Sequence, residues 1–157
     1  MKKRSRYRPK GVLLNPLGYV LEGMKPVKSH DSYLINLKIA NHGAMAALTQ
    51  GKATRADMDV LINMINVVEA LYRLGFGEEY GREIAEGLTA IRDIGRRGAK
   101  TNHFVVKASE MNALNTVIDL HDAQMDIITI RDMENAMKLM QEEYAQGKMN
   151  RILETAS

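Results

Sequence analysis

Apolar residues recur at helical spacing through most of this chain. From Asp31 to Gln50, Leu34, Leu37, Ala40, Ala44, Ala47 and Leu48 mark one helix face, and Gly51 supplies a stop. Thr54 followed by Asp57 is a short-armed capping box, and it opens a helix over about Arg55–Leu74 that Gly75 closes. Val60, Leu61, Met64, Ile65, Val68 and Leu71 form a wide apolar stripe on that helix, which places it at the centre of the core. A third helix is predicted over Glu78–Arg97. Its acids Glu78, Glu79 and Glu83 lie near the positive end of the helix dipole, Arg96 and Arg97 lie near the negative end, and Gly98 follows as a stop. Ser109 is read as the cap of a fourth helix reaching Met125. Thr129 with Asp132 repeats the capping signature and starts a fifth, ending near Gln146 before Gly147.

The remaining segments lack this period. Residues 1–30 hold all three prolines, Pro9, Pro16 and Pro26, together with Gly11, Gly18 and Gly23, and predict an extended arm and linker with at most a short helix around Leu17–Glu22. Phe104-Val105-Val106 is either strand-like or a packed linker, and residues 148–157 form a C-terminal tail. The expected architecture is all-α, a five-helix bundle of αα-hairpins over residues 31–147 with an extended basic N-terminal arm. A weak echo at an offset of 53 residues aligns Met58-Asp59-Val60-Leu61 with Met111-Asn112-Ala113-Leu114 and Ile65 with Ile118. Shared amphipathic patterning and a duplicated helical hairpin both produce such an echo.

Composition narrows the class. A chain of 157 residues, 45% hydrophobic and 26% charged, buries enough apolar surface to fold without a metal or a disulfide. The absence of cysteine excludes disulfides, thiol nucleophiles and Cys-ligated zinc. No apolar run reaches the ~20 residues needed to span a bilayer, and no signal-peptide core follows the basic start, so a cytoplasmic location is expected.

Charge changes the picture more. The formal net charge of +3 is a sum of unlike parts. Lys2, Lys3, Arg4, Arg6, Arg8 and Lys10 give the arm +6, and the remaining 16 basic and 19 acidic residues leave the body at −3. Within the body, residues 92–107 carry Arg92, Arg96, Arg97, Lys100 and Lys107 against Asp93, net +4, whereas residues 109–146 carry eight acids against Arg131 and Lys138, net −6. Arg92, Arg96 and Arg97 therefore form a candidate basic binding patch. The arm, with Tyr7 among its arginines, suits a phosphate backbone and a stacked base, an acidic protein groove, or a solubilising tail, and its spacing does not choose among them.

Candidate chemistry is sparse. Asp119, Asp122 and Asp126 fall at i, i+3 and i+7 on one face of the fourth helix, a pattern suited to a hard cation or, more simply, to an acidic binding surface. His121 points to the apolar side with Leu114, Val117, Ile118 and Met125. His42 has no acid or serine spaced to pair with it, and the neighbouring Gly43, about 1 kcal/mol worse than Ala within a helix, suggests close packing of another helix. Asn63 and Asn66 in the central helix suggest a register-setting or homo-oligomeric face if buried, and an edge if exposed. Gly75-Phe76-Gly77 is a helix cap and turn, neither a Walker loop nor a dinucleotide fingerprint. Methionines including Met58, Met64, Met111, Met125, Met133, Met137, Met140 and Met149 supply adaptable apolar surface. No cofactor or catalytic set is indicated, and a non-enzymatic protein is expected.

Arg6-Tyr7-Arg8-Pro9, Asn41-His42-Gly43-Ala44, Gln50-Gly51-Lys52-Ala53-Thr54, Asp59-Val60-Leu61-Ile62 with Glu69-Ala70-Leu71, and His121-Asp122-Ala123-Gln124-Met125-Asp126 give the chain a further association. On these strings it resembles small accessory proteins of phages and prophages in proteobacteria. The resemblance implies the cytoplasm of a bacterial host and a host-takeover or anti-defence role of the anti-CRISPR kind. Its partner is then a host CRISPR-type ribonucleoprotein or another defence complex, with nucleic acid as the alternative and a homodimer compatible with either.

Overall fold

The computed structural model describes residues 21, 23–27 and 31–147. The predicted helix around Leu17–Glu22, apart from Leu21, which is helical, lies outside the described residues, as do the arm residues Lys2–Lys10 and the tail 148–157. Five α-helices are described from residue 31 onward: α1 (Asp31–Thr49), α2 (Arg55–Arg73), α3 (Gly81–Gly98), α4 (Ala108–Ile127) and α5 (Ile130–Ala145). Among the described residues there is no strand, and the protein is an all-α helical bundle.

Capping explains where the helices begin. The Asp57 carboxylate accepts the Thr54 N–H at 2.7 Å while the Asp57 N–H donates to Thr54 Oγ1 at 3.3 Å, closing the box expected at the start of α2. The Thr129 N–H likewise donates to Asp132 at 2.8 Å and opens α5. At the end of α2, Gly75 adopts φ 99°, so its N–H reaches Tyr72 O and the Phe76 N–H reaches Leu71 O, both at 3.0 Å. This Schellman turn satisfies two terminal carbonyls, and Gly51 with Lys52 repeats it after α1.

Three predicted boundaries are corrected. Glu78–Tyr80 is a separate 3-10 turn, and α3 begins only at Gly81. Gly98 does not stop α3: it is the last helical residue, and a Cβ there would collide with the Phe104 ring, so its missing side chain admits Phe104 into the core. Ser109 does not cap α4 either. The cap is Lys107, whose N–H donates to Glu110 Oε2 at 2.8 Å. Phe104-Val105-Val106 is a packed linker, anchored by Phe104 with 1% exposure.

α2 packs against all four other helices, as its wide stripe predicts. One core joins α1, α2, α3 and the first half of α4 through Leu48, Met58, Leu61, Ile65, Ile91, Ile94, Phe104 and Leu114. A second, methionine-rich core joins Val27 and Leu34 to Ala70, Leu71, Met125, Ile128, Met133, Ala136 and Met140. The αα-hairpin scheme holds for α1–α2, α2–α3 and α3–α4, but α5 packs against α2 after leaving α4. The echo at 53 residues therefore does not extend to two equivalent hairpins.

Val27, before the first of the five helices, belongs to this second core, and the Lys25–Val27 backbone pairs with the connector between α4 and α5. The connector between α4 and α5 is extended at Ile128 and Thr129 and leaves backbone groups unpaired by either helix. The Val27 N–H donates to Ile128 O at 3.0 Å and the Ile130 N–H donates to Lys25 O at 2.9 Å. Val27 is buried beneath these bonds at 3% exposure.

Candidate interaction surface

The bundle turns the charge blocks of the sequence into opposite ends of the molecule. The α1–α2 turn lies against the α3–α4 loop, where Gly51–Arg55, Asn102 and His103 line a shared notch. Lys52, Arg55, Arg96, Lys100, His103 and Lys107 are all exposed at or beside this end. At the other end lie the start of α1, the end of α2, the end of α4 and α5, gathered by the methionine-rich core. Asp126, Glu134 and Glu142 are exposed on α4 and α5 there, and Asp119 is exposed midway along α4. A field of this kind steers charged partners and falls with added salt.

The candidate arginines do not stand alike. Arg96 is exposed and Arg92 half-buried on α3, whereas Arg97, also exposed, is engaged by the protein's own side chains and backbone. Its guanidinium donates to both carboxylate oxygens of Glu110, at 2.6 and 2.7 Å, and to Val105 O at 2.8 Å. The pair bolts the end of α3 to the start of α4. The hydrogen bond from Arg97, helped by the Lys107 N–H, holds the Glu110 carboxyl below the usual carboxylate range despite the opposing effect of burial. Arg97 is raised by the same partner.

Asp119, Asp122 and Asp126 share a side of α4 but not a common environment. Asp119 and Asp126 are exposed, while half-buried Asp122 meets His42 of α1, Nε2 to Oδ2 at 2.8 Å. Among the described residues no group of three or more His, Asp or Glu side chains is arranged to hold a metal ion, so the cation pattern read from spacing is not assembled. His42, which had no partner at helical spacing, gains its acid from 80 residues away.

Behind this pair lies a seam of buried polar side chains that the sequence indicated only in part. His121 is 1% exposed, as its apolar neighbours imply, and neither ring nitrogen has a hydrogen-bond partner. Asp122 Oδ1 is 3.8 Å from Nδ1, beyond hydrogen-bonding distance. Burial lowers the His121 pKa from 6.5, Asp122 opposes this, and His42 and Lys38 reinforce it. Asn41 is buried with its Nδ2 unpaired. Gln124 donates to Phe76 O at 3.1 Å and to Val68 O at 3.3 Å, tying α4 to the turn after α2. Asn63 and Asn66 separate: Asn63 is exposed and Asn66 is in the core, so they do not form one oligomer face.

A shallow groove between α3 and α4, about 590 Å³ in volume, is lined by Arg82, Glu86, Thr89, Asp93, Lys107 and Glu110 among others. Its rim mixes both signs of charge. Among the described residues, no helix is long and apolar enough to cross a membrane. The fold and surface thus define an all-α bundle with charge-segregated ends. No protein family, curated protein or solved structure matches the chain.

Proposed function

We propose that this chain is a non-enzymatic binding protein, phage-encoded, that inhibits a host nucleoprotein defence complex in the bacterial cytoplasm in the manner of an anti-CRISPR protein. The supporting observation is the exposed row of carboxylates on α4 and α5, set at the opposite end from Lys52, Arg55, Arg96 and Lys100. Carboxylates spaced along rigid helices offer a basic groove the sign of charge that it accepts from phosphates. Such complementarity acts chiefly on association rate and specificity. The basic arm and the Arg92–Lys107 end supply a second contact of opposite sign to the same nucleoprotein.

The test is a competition assay with a purified CRISPR ribonucleoprotein and labelled target DNA. The full chain should displace the DNA, with inhibition weakening as salt rises, and Asp119→Lys with Asp126→Lys should slow association about tenfold or more. Target binding unchanged at saturating protein, together with affinity capture from a bacterial host that recovers no nucleoprotein, would reject the reading.

The alternative is a nucleic-acid-binding accessory protein that uses Lys2, Lys3, Arg4, Arg6, Tyr7, Arg8 and Lys10 with the basic end. The +6 of the arm favours it. In that case the intact chain retards DNA or RNA in a gel, and removing residues 1–10 abolishes retardation and flattens its salt slope.

A further inference from the structure

α1 carries apolar residues on two sides, and only one of those sides is covered among the described residues. Leu34, Asn41, Ala44, Met45 and Leu48 face inward and are buried. At 100° per residue the opposite face is Ser32, Ile35, Asn36, Ile39, Gly43 and Ala46, all exposed and none charged. Ile35 is 55% exposed and Ile39 65%, one turn apart. Isolated exposed apolar residues are ordinary, but a charge-free line of them along three turns of one helix marks an interface.

Gly43 makes the line more specific. It lies in the interior of α1, where Gly destabilises a helix by roughly 0.5–1 kcal/mol relative to Ala. The expected compensation was a close helix neighbour. Among the described residues there is none: a Cβ at position 43 would meet nothing within 4 Å. The close helix approach occurs instead at Gly87, where a Cβ would strike Val117 of α4. A local rule broken with no compensation among the described residues directs attention to a contact beyond them.

We infer that the outward face of α1 packs antiparallel against the same face of a second copy of this chain, about a two-fold axis, with Ile39 seated on the partner's Gly43 and Ile35 beside the partner's Ala46. The line is self-complementary in this sense alone. From Ile35 to Ala46 its large residues precede its small ones, so reversing the partner sets large against small over that stretch. A glycine at the crossing lets the axes approach more closely than the usual 8–10 Å.

Charge selects the same arrangement. The C-terminal end of α1 leads into the basic end at Lys52 and Arg55, and its N-terminal end lies beside the acidic end formed by α4 and α5. A two-fold axis across α1 therefore lays the basic end of each copy beside the partner's acidic end. A parallel pairing would set like against like. An isologous contact of this type closes at the dimer, and opposite dipoles of antiparallel helices add to it.

Sedimentation equilibrium of the full chain tests the proposal. The wild type is expected to reach twice the 17.6 kDa chain mass within the micromolar range, and its dissociation constant should rise with salt. Gly43→Leu should raise that constant at least about tenfold by filling the partner's seat for Ile39. Where the wild type is monomeric, the same variant should melt no lower, because the space around position 43 is open and Leu favours a helix. Ile39→Asp should also yield monomer, whereas Asn115→Asp, exposed on α4, should leave the dimer intact. A wild type that stays monomeric throughout, or a dimer that survives both α1 variants, overturns the proposal.

Discussion

Arg97 holds Glu110 through its two terminal guanidinium nitrogens, Nη1 and Nη2, and Glu110 in turn accepts the backbone N–H of Lys107 at the start of α4. One carboxylate thus satisfies a helix terminus and fastens two helices together. The Arg97 side chain is 36% exposed and that of Glu110 10%, so the pair is screened by solvent chiefly from the arginine side. Arg97→Ala leaves a nearly buried carboxylate with one remaining donor, and we expect a loss of about 1–2 kcal/mol, reduced for the exposed partner. Urea unfolding measures it. Because the folded-state pKa of Glu110 lies below 4.5, its contribution is present above that value and disappears as pH falls through the folded pKa. Glu110→Gln should flatten the pH dependence below pH 4.5.

His121 predicts a second acid-sensitive step at higher pH. Its folded pKa lies below 6.5 because burial disfavours the imidazolium, so the unfolded state takes up the proton first as pH falls. Stability from this site is intact above 6.5 and declines between 6.5 and the folded value. His121→Leu removes two unpaired buried nitrogens and is expected to stabilise the protein by about 1 kcal/mol at neutral pH and by more at pH 5. Thermal melts at the two pH values decide it: an equal or negative shift contradicts the account.

Val27 should behave as a core residue although it precedes the first of the five helices. Its side chain lies in the methionine-rich core and its N–H bonds to Ile128. Val27→Ala is expected to cost about 1–2 kcal/mol, and faster hydrogen exchange should follow at the amide of Ile130, which bonds to Lys25. A variant with wild-type stability would detach this segment from the domain.

Two glycines should respond oppositely to alanine. At Gly98 the new Cβ meets the Phe104 ring and, at 2.8 Å, the His103 carbonyl oxygen, which belongs to backbone and cannot swing aside. Gly98→Ala should lose about 2 kcal/mol or more. At Gly43 the Cβ enters open space inside a helix, and Gly43→Ala should raise monomer stability by about 0.5–1 kcal/mol. Chemical denaturation of both variants at a concentration where the protein is monomeric compares them directly.

Local physics, written into short stretches of chain, was legible without coordinates. The apolar period located five helices, Thr54–Asp57 and Thr129–Asp132 marked two starts, and Gly51 and Gly75 marked two ends, because caps and turns join residues a few positions apart. The same locality made His121 readable as an inward-facing side chain. It failed at Gly98 and Gly43, where a small residue says only that no side chain is tolerated or needed, not which neighbour decides the matter. The sequence also divided the charge into blocks, but α2 as a shared centre and the reversal of α3 against α4 sorted those blocks onto opposite ends. Pairs such as His42 with Asp122 and Arg97 with Glu110, the docking of Val27 under Ile128, and the unclaimed outer face of α1 arise only when distant segments are brought together. Periodicity reports which side of a helix is apolar. Tertiary packing alone determines how many of its sides are covered.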